Sequence, residues 1–407
     1  GADHLGLNAS VPATAFPTAA ATACSFDREL LYQMGQALGD LCQEEDVSVI
    51  LGPGANIKRS PLCGRNFEYF SEDPYLTGEM AAAHIRGVQS RNVGTSLKHF
   101  AMNNQEHRRL SVSVEADERT MREIYLTGFE KAVRQAKPWT VMCSYNKIGG
   151  VYSSENRWLL RDLLRGEWGF DGYTMTDWGA CADHVKGVLA GMDLSMPSLG
   201  DAADAELAQA VRDGRVPESV VDEAVKEILT IIDRYVTNHK KDPDFSLGVQ
   251  HHLARKIARE SAVLLKNDGA LPLKSSGRIA FIGAFAETPR YQGGGSSHIN
   301  ASETTSALQA ARSVAQVRYA QGYRTDSGET DAALRDEAVK LARESDVAVV
   351  FAGLPDAFES EGFDRAHMRM PDCQNELIDA VCAVCKKVVV VLHNGAPIEL
   401  PWFDRVQ

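Results

Sequence analysis

Short apolar runs alternate with helical patterns along the first half of the chain. The apolar runs predict buried β-strands at Val47–Leu51, Ser96–Phe100, Trp139–Tyr145 and Tyr173–Asp177. Between them, apolar residues recur at the spacing of amphipathic helices. Three stripes show this spacing: Leu30, Leu31, Met34, Leu38 and Leu41; Met121, Ile124, Tyr125 and Phe129, with Asp117 as N-cap; and Val221, Val225, Ile228, Leu229 and Ile232, with Pro217 in the first turn. Strands that alternate with helices predict βαβ units and a parallel sheet.

A second block with the same alternation follows an exposed, charged connection at Lys240–Asp244. The block begins with a predicted helix over His252–Leu265. Further helices are predicted over Ala332–Ser345 and Gln374–Lys386, and strands over Ile279–Ile282, Val347–Phe351 and Val388–Leu392. We therefore expect two domains, over residues 1–235 and 253–407, joined by a linker over residues 236–252.

The composition is that of a globular protein, and it narrows the classes of ligand. At roughly 150 residues per domain, the 407 residues allow two or three domains. Hydrophobic residues make up 44% and charged residues 24%, which excludes a disordered chain. The net charge of −12 argues against nucleic-acid binding but leaves a neutral sugar open as ligand. No apolar run approaches the ~18 residues of a membrane span and no secretory signal is visible, so we expect a cytoplasmic protein without a membrane partner.

Polar clusters follow the predicted strands, which is where functional side chains gather in α/β folds. Asp177 ends one strand and is followed by Trp178 and Gly179. Burying a carboxylate there is costly unless it is paired or used, so Asp177 is either a nucleophile beside an aromatic wall or a helix N-cap. Lys98 and His99 end another strand and could bind hydroxyl groups or lower the pKa of a carboxylate. A surface lysine beside a satisfied histidine is the alternative.

Two loops complete the candidate site. The Gly64–Tyr69 loop combines Arg65 with aromatic side chains, which suits polyol recognition as well as an ordinary solvated loop. In the second block, Glu359 and Glu361 lie on a glycine-containing loop after a strand, where a general acid or a plain acidic surface loop is expected. The Gly293–His298 segment lacks the spacing of a phosphate loop, which favours a flexible loop against the site. Two carboxylates from two domains, with basic and aromatic groups between them, meet the requirement for cleaving a glycosidic bond.

Several motifs together resemble glycoside hydrolase family 3, in particular its bacterial β-glucosidases. In the first domain they are Ser10–Thr14, Gly64–Pro74, Lys98–Phe100, Ser144–Asn146, Glu167–Phe170, Thr176–Gly179 and Met192–Pro197. In the second domain they are Gly362–Arg365 and His393–Gly395. The resemblance covers nearly the whole chain and implies an α/β protein with a (β/α)8 barrel-like catalytic domain, a following α/β sandwich domain, and an active site at their junction.

The resemblance also implies roles for individual residues. Asp177 matches the nucleophile and Glu361 the acid/base, with Glu359 as the fallback because that loop varies across the family. The positions that match sugar-binding residues are Arg65, Lys98, His99, Tyr145 and Trp178. The implied reaction is a retaining double displacement that needs no metal and no organic cofactor. For this reaction we expect Asp177 to be ionised and Glu361 to hold its proton in a drier setting.

The implied substrate is a small oligosaccharide or β-glucoside that loses its terminal non-reducing β-D-glucosyl residue. A β-xylosidase, another exo-β-glycosidase of the family, and a non-catalytic carbohydrate-binding protein stay open, as does a homo-oligomer. A β-N-acetylglucosaminidase is disfavoured because Lys98–Asn103 does not continue into the Gly-His-Gly stretch of that branch. Family members carry an Asp-Gly-Pro segment upstream of Gly1 and further strands after Gln407, so we expect the chain to be truncated at both ends.

Overall fold

The structure, a computed structural model, describes residues 11–240 and 245–407. Gly1, Ser10 and all of the predicted connection except Lys240 lie outside these ranges. The strands of the first range are β1 (Val49–Ile50), β2 (Gly94–Phe100), β3 (Ser113–Val114), β4 (Thr140–Cys143), β5 (Lys147–Ile148), β6 (Val151–Tyr152) and β7 (Tyr173–Thr176). Those of the second range are β8 (Ile279–Ile282), β9 (Val317–Ala320), β10 (Val347–Gly353) and β11 (Val388–His393).

Strands β1, β2, β4 and β7 form a parallel sheet in that order, which is also their order along the chain. Leu97 pairs with Val141, and Met142 with Met175, so the strands lie in register with their carboxyl ends at one edge. A bridge from Met175 to Leu194 continues the sheet after β7. Sequential parallel strands with intervening helices are the arrangement of a (β/α) barrel. Strands β3, β5 and β6 form a small separate sheet.

Helices cover the outside of the barrel-like sheet. They are α1 (Ala19–Ala23), α2 (Arg28–Glu44), α3 (Pro74–Gln89), α4 (Glu118–Thr120), α5 (Thr127–Ala136), α6 (His184–Ala190), α7 (Asp201–Arg212) and α8 (Glu218–Asn238), with π-helical segments at Met121–Leu126 and Trp158–Glu167. The predicted stripe on α2 is confirmed, because Leu30, Leu31 and Met34 are buried in the main core. Gly35 lets α2 approach α3 closely, since a Cβ there would lie 2.5 Å from the His84 carbonyl oxygen.

The second range contains its own parallel sheet, with the strand order β11-β10-β8-β9. Its helices are α9 (Leu247–Glu260), α10 (Ala307–Arg312), α11 (Ala332–Arg343) and α12 (Asp372–Val384). A separate core forms around this sheet, where the rings of Phe281 and Phe351 lie 4.9 Å apart. The three predicted strands of this block are confirmed, and β9 is an additional strand that the sequence analysis did not predict.

Two predicted helices differ from the observed ones. On α8 the buried residues are Ala224, Ile231 and Tyr235, whereas three members of the predicted apolar stripe are about half exposed. These exposed residues are Val225, Leu229 and Ile232. The α8 sequence carries apolar residues on two faces, and the period alone does not tell which face packs. Helix α9 starts five residues earlier than predicted, because the Ser246 side chain accepts the Val249 N–H as an N-cap, and it ends at Glu260 rather than Leu265.

Helix α9 packs against the first domain although it precedes the second sheet. Ile257 is fully buried in the core of the first domain, and the Gln250 side chain donates to the Ala37 carbonyl at 2.6 Å. The predicted limits of the two domains stay a prediction. Within the described ranges, no helix is both long enough and apolar enough to cross a membrane.

Candidate active site

The carboxyl ends of three neighbouring strands bring the predicted residues of the first domain together. Lys98 and His99 lie near the end of β2, Tyr145 follows β4, and Asp177 follows β7 directly. Arg65 reaches them from the loop after β1. All five are buried, and none is more than 5% exposed. This burial follows from the fold, because residues at the ends of central parallel strands are covered by the loops above them.

Asp177 lies among cationic and hydrogen-bonding groups. Its Oδ2 is 3.9 Å from Arg65 Nη1 and 3.2 Å from His99 Nε2, and its Oδ1 accepts the Trp178 backbone N–H at 2.7 Å. Burial raises the pKa of Asp177 above its usual value, and the charges of Arg65 and Lys98 act in the opposite direction. Burial lowers the pKa of Lys98, and nearby carboxylates act to raise it.

A hydrogen-bond chain orients the His99 ring. The Asn103 side-chain amide donates to the Tyr69 hydroxyl at 3.0 Å, and this hydroxyl lies 2.8 Å from His99 Nδ1. This contact at Nδ1 orients the ring so that Nε2 faces Asp177, 3.2 Å from its Oδ2.

Glu361 reaches the same place from the second domain. Its Oε1 accepts from Arg109 Nη1 at 2.8 Å and lies 3.4 Å from Arg65 Nη1, while its Oε2 accepts the backbone N–H of Ser296 at 2.8 Å and the Ser296 hydroxyl. Arg65 Nη1 thus contacts both Asp177 and Glu361. The two carboxylate oxygens are therefore no farther apart than the sum of these two contacts, which is compatible with the ~5–9.5 Å of paired glycosidase carboxylates.

The charge state of Glu361 differs from the expected one. Burial acts to raise the pKa of Glu361, but Arg65 and the hydrogen bonds from Ser296 and Arg109 outweigh burial and lower this pKa to about 2. We expected Glu361 to hold its proton, and this expectation is wrong for the observed arrangement. The reason is that four donor groups converge on one carboxylate, which favours its charged form.

Glu359 occupies a different environment from Glu361, although only one residue separates them. It is 2% exposed, accepts the Gly395 N–H at 3.1 Å, and lies 4.0 Å from Arg290. It lines a cavity of about 470 Å³ together with Phe67, Arg290 and Gly395. The structure thus brings Glu361, rather than Glu359, into contact with the side chain that also contacts Asp177.

Trp178 is the predicted site residue that stands apart from the others. Its backbone is bonded to Asp177, but the residue is 62% exposed. The residue is therefore largely open to solvent, unlike the five buried residues of the site. A role in covering a sugar stays a prediction.

Three residues of the site were missed by the sequence analysis. Arg109 bonds Glu361 and also lies over the Tyr145 ring, with Cζ 4.4 Å from the ring centroid. Glu106 bonds Arg109 at 2.7 Å, and Ser296 bonds Glu361 from the glycine-rich loop. The Glu106-x-x-Arg109 spacing downstream of the Lys-His pair was the available signal. Ser296 confirms that its loop lies against the site. In the described parts of the chain, no three His, Cys, Asp or Glu side chains group as a metal site.

Family models cover both domains of this chain. The glycosyl hydrolase family 3 N-terminal domain matches residues 4–231, and the family 3 C-terminal domain matches residues 262–407. The chain belongs to glycosyl hydrolase family 3. The resemblance stated from the motifs and the predicted fold class, with a barrel-like first domain and an α/β second domain, are thereby confirmed.

Named relatives cover nearly the whole chain. Thermostable beta-glucosidase B of Acetivibrio thermocellus is 54% identical over 411 residues, which are 100% of this chain and 54% of that protein. An exo-alpha-(1->6)-L-arabinopyranosidase of Bifidobacterium breve is 46% identical over 419 residues, or 98% of this chain and 54% of that protein. The chain thus spans about half the length of the curated relatives it matches.

Solved structures share the fold. The GH3 beta-glucosidase of Bifidobacterium adolescentis superposes with a TM-score of 0.94 at 48% identity, covering 98% of this chain and 59% of that one. Beta-glucosidase 3B of Thermotoga neapolitana, in complex with glucose, superposes with a TM-score of 0.87 at 36% identity, covering 97% of this chain and 60% of that one.

Proposed function

We propose that the chain carries the active site of a retaining β-glucosidase, which removes terminal non-reducing β-D-glucosyl residues. The observation that carries this proposal is the convergence of Asp177 and Glu361, from two domains, on Arg65. Two carboxylates that face one site are what double displacement at an anomeric carbon requires, one as nucleophile and one as acid/base. Similarity to proteins named as beta-glucosidases supports glucose as the sugar.

Asp177 is the proposed nucleophile. Its position directly after β7 restricts its movement, and Trp178 N–H holds one carboxylate oxygen. Arg65 and Lys98 offset the burial that raises its pKa and so favour the ionised form that attacks. The neighbouring donors that would bind the hydroxyl groups of the sugar are Arg65, Lys98, His99 and Tyr145, and Trp178 would cover the sugar.

Glu361 is the proposed acid/base, and the two steps demand opposite charge states of it. In the second step it accepts a proton from water, and the donors that lower its pKa favour the carboxylate form needed there. In the first step it must donate a proton to the leaving oxygen. A glucoside that takes over donors now bonded to Glu361, such as Arg109 and Ser296, removes contacts that lower its pKa and so favours protonation.

The proposal is tested with the full-length protein on aryl glycosides of β-glucose, β-xylose, β-galactose and β-N-acetylglucosamine. The β-glucoside is expected to have the highest kcat/KM, and glucose is expected to be released first as the β-anomer. Release of the α-anomer would contradict retention. A higher kcat/KM on the β-xyloside than on the β-glucoside would show that the protein is a β-xylosidase. Binding of glucosides without turnover would make the protein a carbohydrate-binding protein.

A second candidate activity is that of an exo-α-L-arabinopyranosidase. The observation that favours it is the pair of bifidobacterial relatives with this name, at 46% identity. Adding an aryl α-L-arabinopyranoside to the panel distinguishes the two sugars. A cytoplasmic location and a homo-oligomer stay predictions, which cell fractionation and light scattering on the purified protein test.

A further inference from the structure

Asp364 ties the loop of Glu361 to the first domain. It lies three residues after Glu361, and its carboxylate accepts three backbone N–H groups from two first-domain loops. The donors are Gly64 at 3.1 Å, Glu106 at 2.9 Å and His107 at 2.9 Å. Hydrogen bonds from N–H groups to a charged carboxylate are stronger than those between neutral groups, so this cluster holds the two domains in one register.

Glu106 makes the contact in the opposite direction. Its Oε2 accepts the backbone N–H of Gly362 at 2.9 Å and Arg109 Nη1 at 2.7 Å. The same Arg109 nitrogen donates to Glu361 Oε1 at 2.8 Å. Glu106 therefore holds both the backbone next to Glu361 and the guanidinium that contacts the Glu361 carboxylate.

The two domains approach each other closely at this point. A Cβ on Gly64 would lie 1.9 Å from the Phe363 carbonyl oxygen and 2.3 Å from the Ser360 carbonyl oxygen, so the contact admits no side chain there. Arg365 N–H also donates to the Leu62 carbonyl at 2.8 Å. Backbone groups on both sides of Glu361 are thus fixed against the first domain.

We propose that Glu106 and Asp364 are positioning residues that fix Glu361 opposite Asp177 across the domain boundary. The inference rests on the proposed function, because it concerns the placement of the acid/base. A proton donor on a loop is effective only when it is held within hydrogen-bond reach of the leaving oxygen. Glu106 has a second effect, because Arg109 Nη1 donates to both Glu106 and Glu361. Without the charge of Glu106, Arg109 would favour the ionised form of Glu361 more strongly.

The inference predicts a selective loss of activity, which separates positioning from a general structural role. Departure of a phenol from phenyl β-glucoside needs a proton, whereas dinitrophenolate leaves without one. A misplaced Glu361 should therefore slow the hydrolysis of phenyl β-glucoside and leave that of the dinitrophenyl glucoside nearly unchanged. Because the isosteric variants Glu106→Gln and Asp364→Asn keep one acceptor oxygen, they shift Glu361 without removing it.

The experiment measures kcat and KM of the full-length protein and its variants on both substrates. For Glu106→Gln and Asp364→Asn we expect kcat/KM on phenyl β-glucoside to fall about 10- to 100-fold, and that on 2,4-dinitrophenyl β-glucoside to change less than about threefold. Glu361→Ala is the reference for selective loss. Asp331→Asn is the matched control, because Asp331 accepts two backbone N–H groups at the start of α11, away from the site.

Equal losses on both substrates, or no loss in either variant, would overturn the inference. If Asp364→Asn fails to fold, Glu106→Gln alone decides, since it keeps an acceptor for the Gly362 N–H but loses the charge that holds Arg109. Failure of the proposed function would give a different result. Either the wild type would hydrolyse neither glucoside, or Glu361→Ala would slow the hydrolysis of both glucosides equally.

Discussion

Asp177 and Glu361 are carboxylates of one site, yet their surroundings act on them in opposite ways. Asp177 directly follows strand β7 and is almost fully buried, and this burial raises its pKa. Glu361 belongs to a loop of the other domain, where donors from three segments lower its pKa to about 2. The strand end supplies burial to Asp177, whereas three other segments of the chain supply hydrogen-bond donors to Glu361.

The difference shows that burial alone does not set the charge of a carboxylate in this site. The number of donors that converge on it decides whether burial or attraction determines its pKa. Arg65 contacts both carboxylates and therefore couples their charge states. Substitutions of these two carboxylates are therefore expected to have the largest effects on activity.

Replacing Asp177 by alanine is expected to have the largest effect. Because no nucleophile remains to form the glycosyl-enzyme, kcat on aryl β-glucosides should fall by about 10⁴-fold or more. The measurement is nitrophenol release under saturating substrate, with unchanged thermal unfolding as the control for folding. Rates equal to those of the wild type would show that Asp177 is not the nucleophile.

Replacing Glu361 by alanine should give a loss that depends on the leaving group. We expect kcat/KM to fall about 10²- to 10⁴-fold for phenyl β-glucoside and much less for dinitrophenyl β-glucoside, with azide restoring turnover of the latter by forming glucosyl azide. Glu359→Ala is the matched control from the same loop. If Glu359→Ala shows azide rescue and Glu361→Ala does not, the acid/base has been assigned to the wrong glutamate.

The low pKa of Glu361 predicts a pH-dependent contribution to stability. A carboxylate whose pKa is depressed in the folded state stabilises the fold above its unfolded pKa of about 4.3, and this contribution is lost as the pH falls toward 2. The stability advantage of the wild type over Glu361→Gln should therefore shrink by about 2 kcal/mol between pH 6 and pH 3. Urea unfolding at both pH values measures it, and a constant difference would contradict the assigned pKa.

The smallest expected effect comes from Ser296→Ala. This change removes the hydroxyl that donates to Glu361 but leaves the backbone N–H in place. One lost hydrogen bond is worth about 1 kcal/mol, so kcat/KM should change by less than about tenfold. The pH dependence of kcat/KM is the measurement, and the limb that reports Glu361 should move to higher pH because the pKa of Glu361 rises. A limb at lower pH would contradict the described hydrogen bond.

The sequence predicted the half of the site that depends on strand ends. Lys98, His99 and Asp177 each close an apolar run, and the carboxyl ends of parallel strands meet at one edge. Glu361 and Glu359 could not be separated in this way, because both lie on one acidic loop. Their difference depends on Arg109 and Ser296, which are distant from them in sequence.

The fold was predictable to a similar degree. Apolar runs identified most long strands, because buried parallel strands are continuously hydrophobic. The packing face of α8 was predicted only in part: Val221 and Ile228 of the predicted stripe pack against the cores, but Leu229 is exposed. The α8 sequence offers two apolar faces, and only tertiary contacts select the one with Ile231. The predicted start of α9 was also wrong. The helix begins after the N-cap Ser246, and the spacing of apolar residues does not reveal a cap.

The most direct test of the central claim traps the covalent intermediate. The full-length protein is incubated with 2,4-dinitrophenyl 2-deoxy-2-fluoro-β-glucoside, digested, and sequenced by mass spectrometry. We predict one fluoroglucosyl group per active site, attached to Asp177, with Glu361→Ala labelled at the same residue. A label on Glu361 or Glu359, or turnover of β-glucosides without any trapped intermediate, would contradict the account.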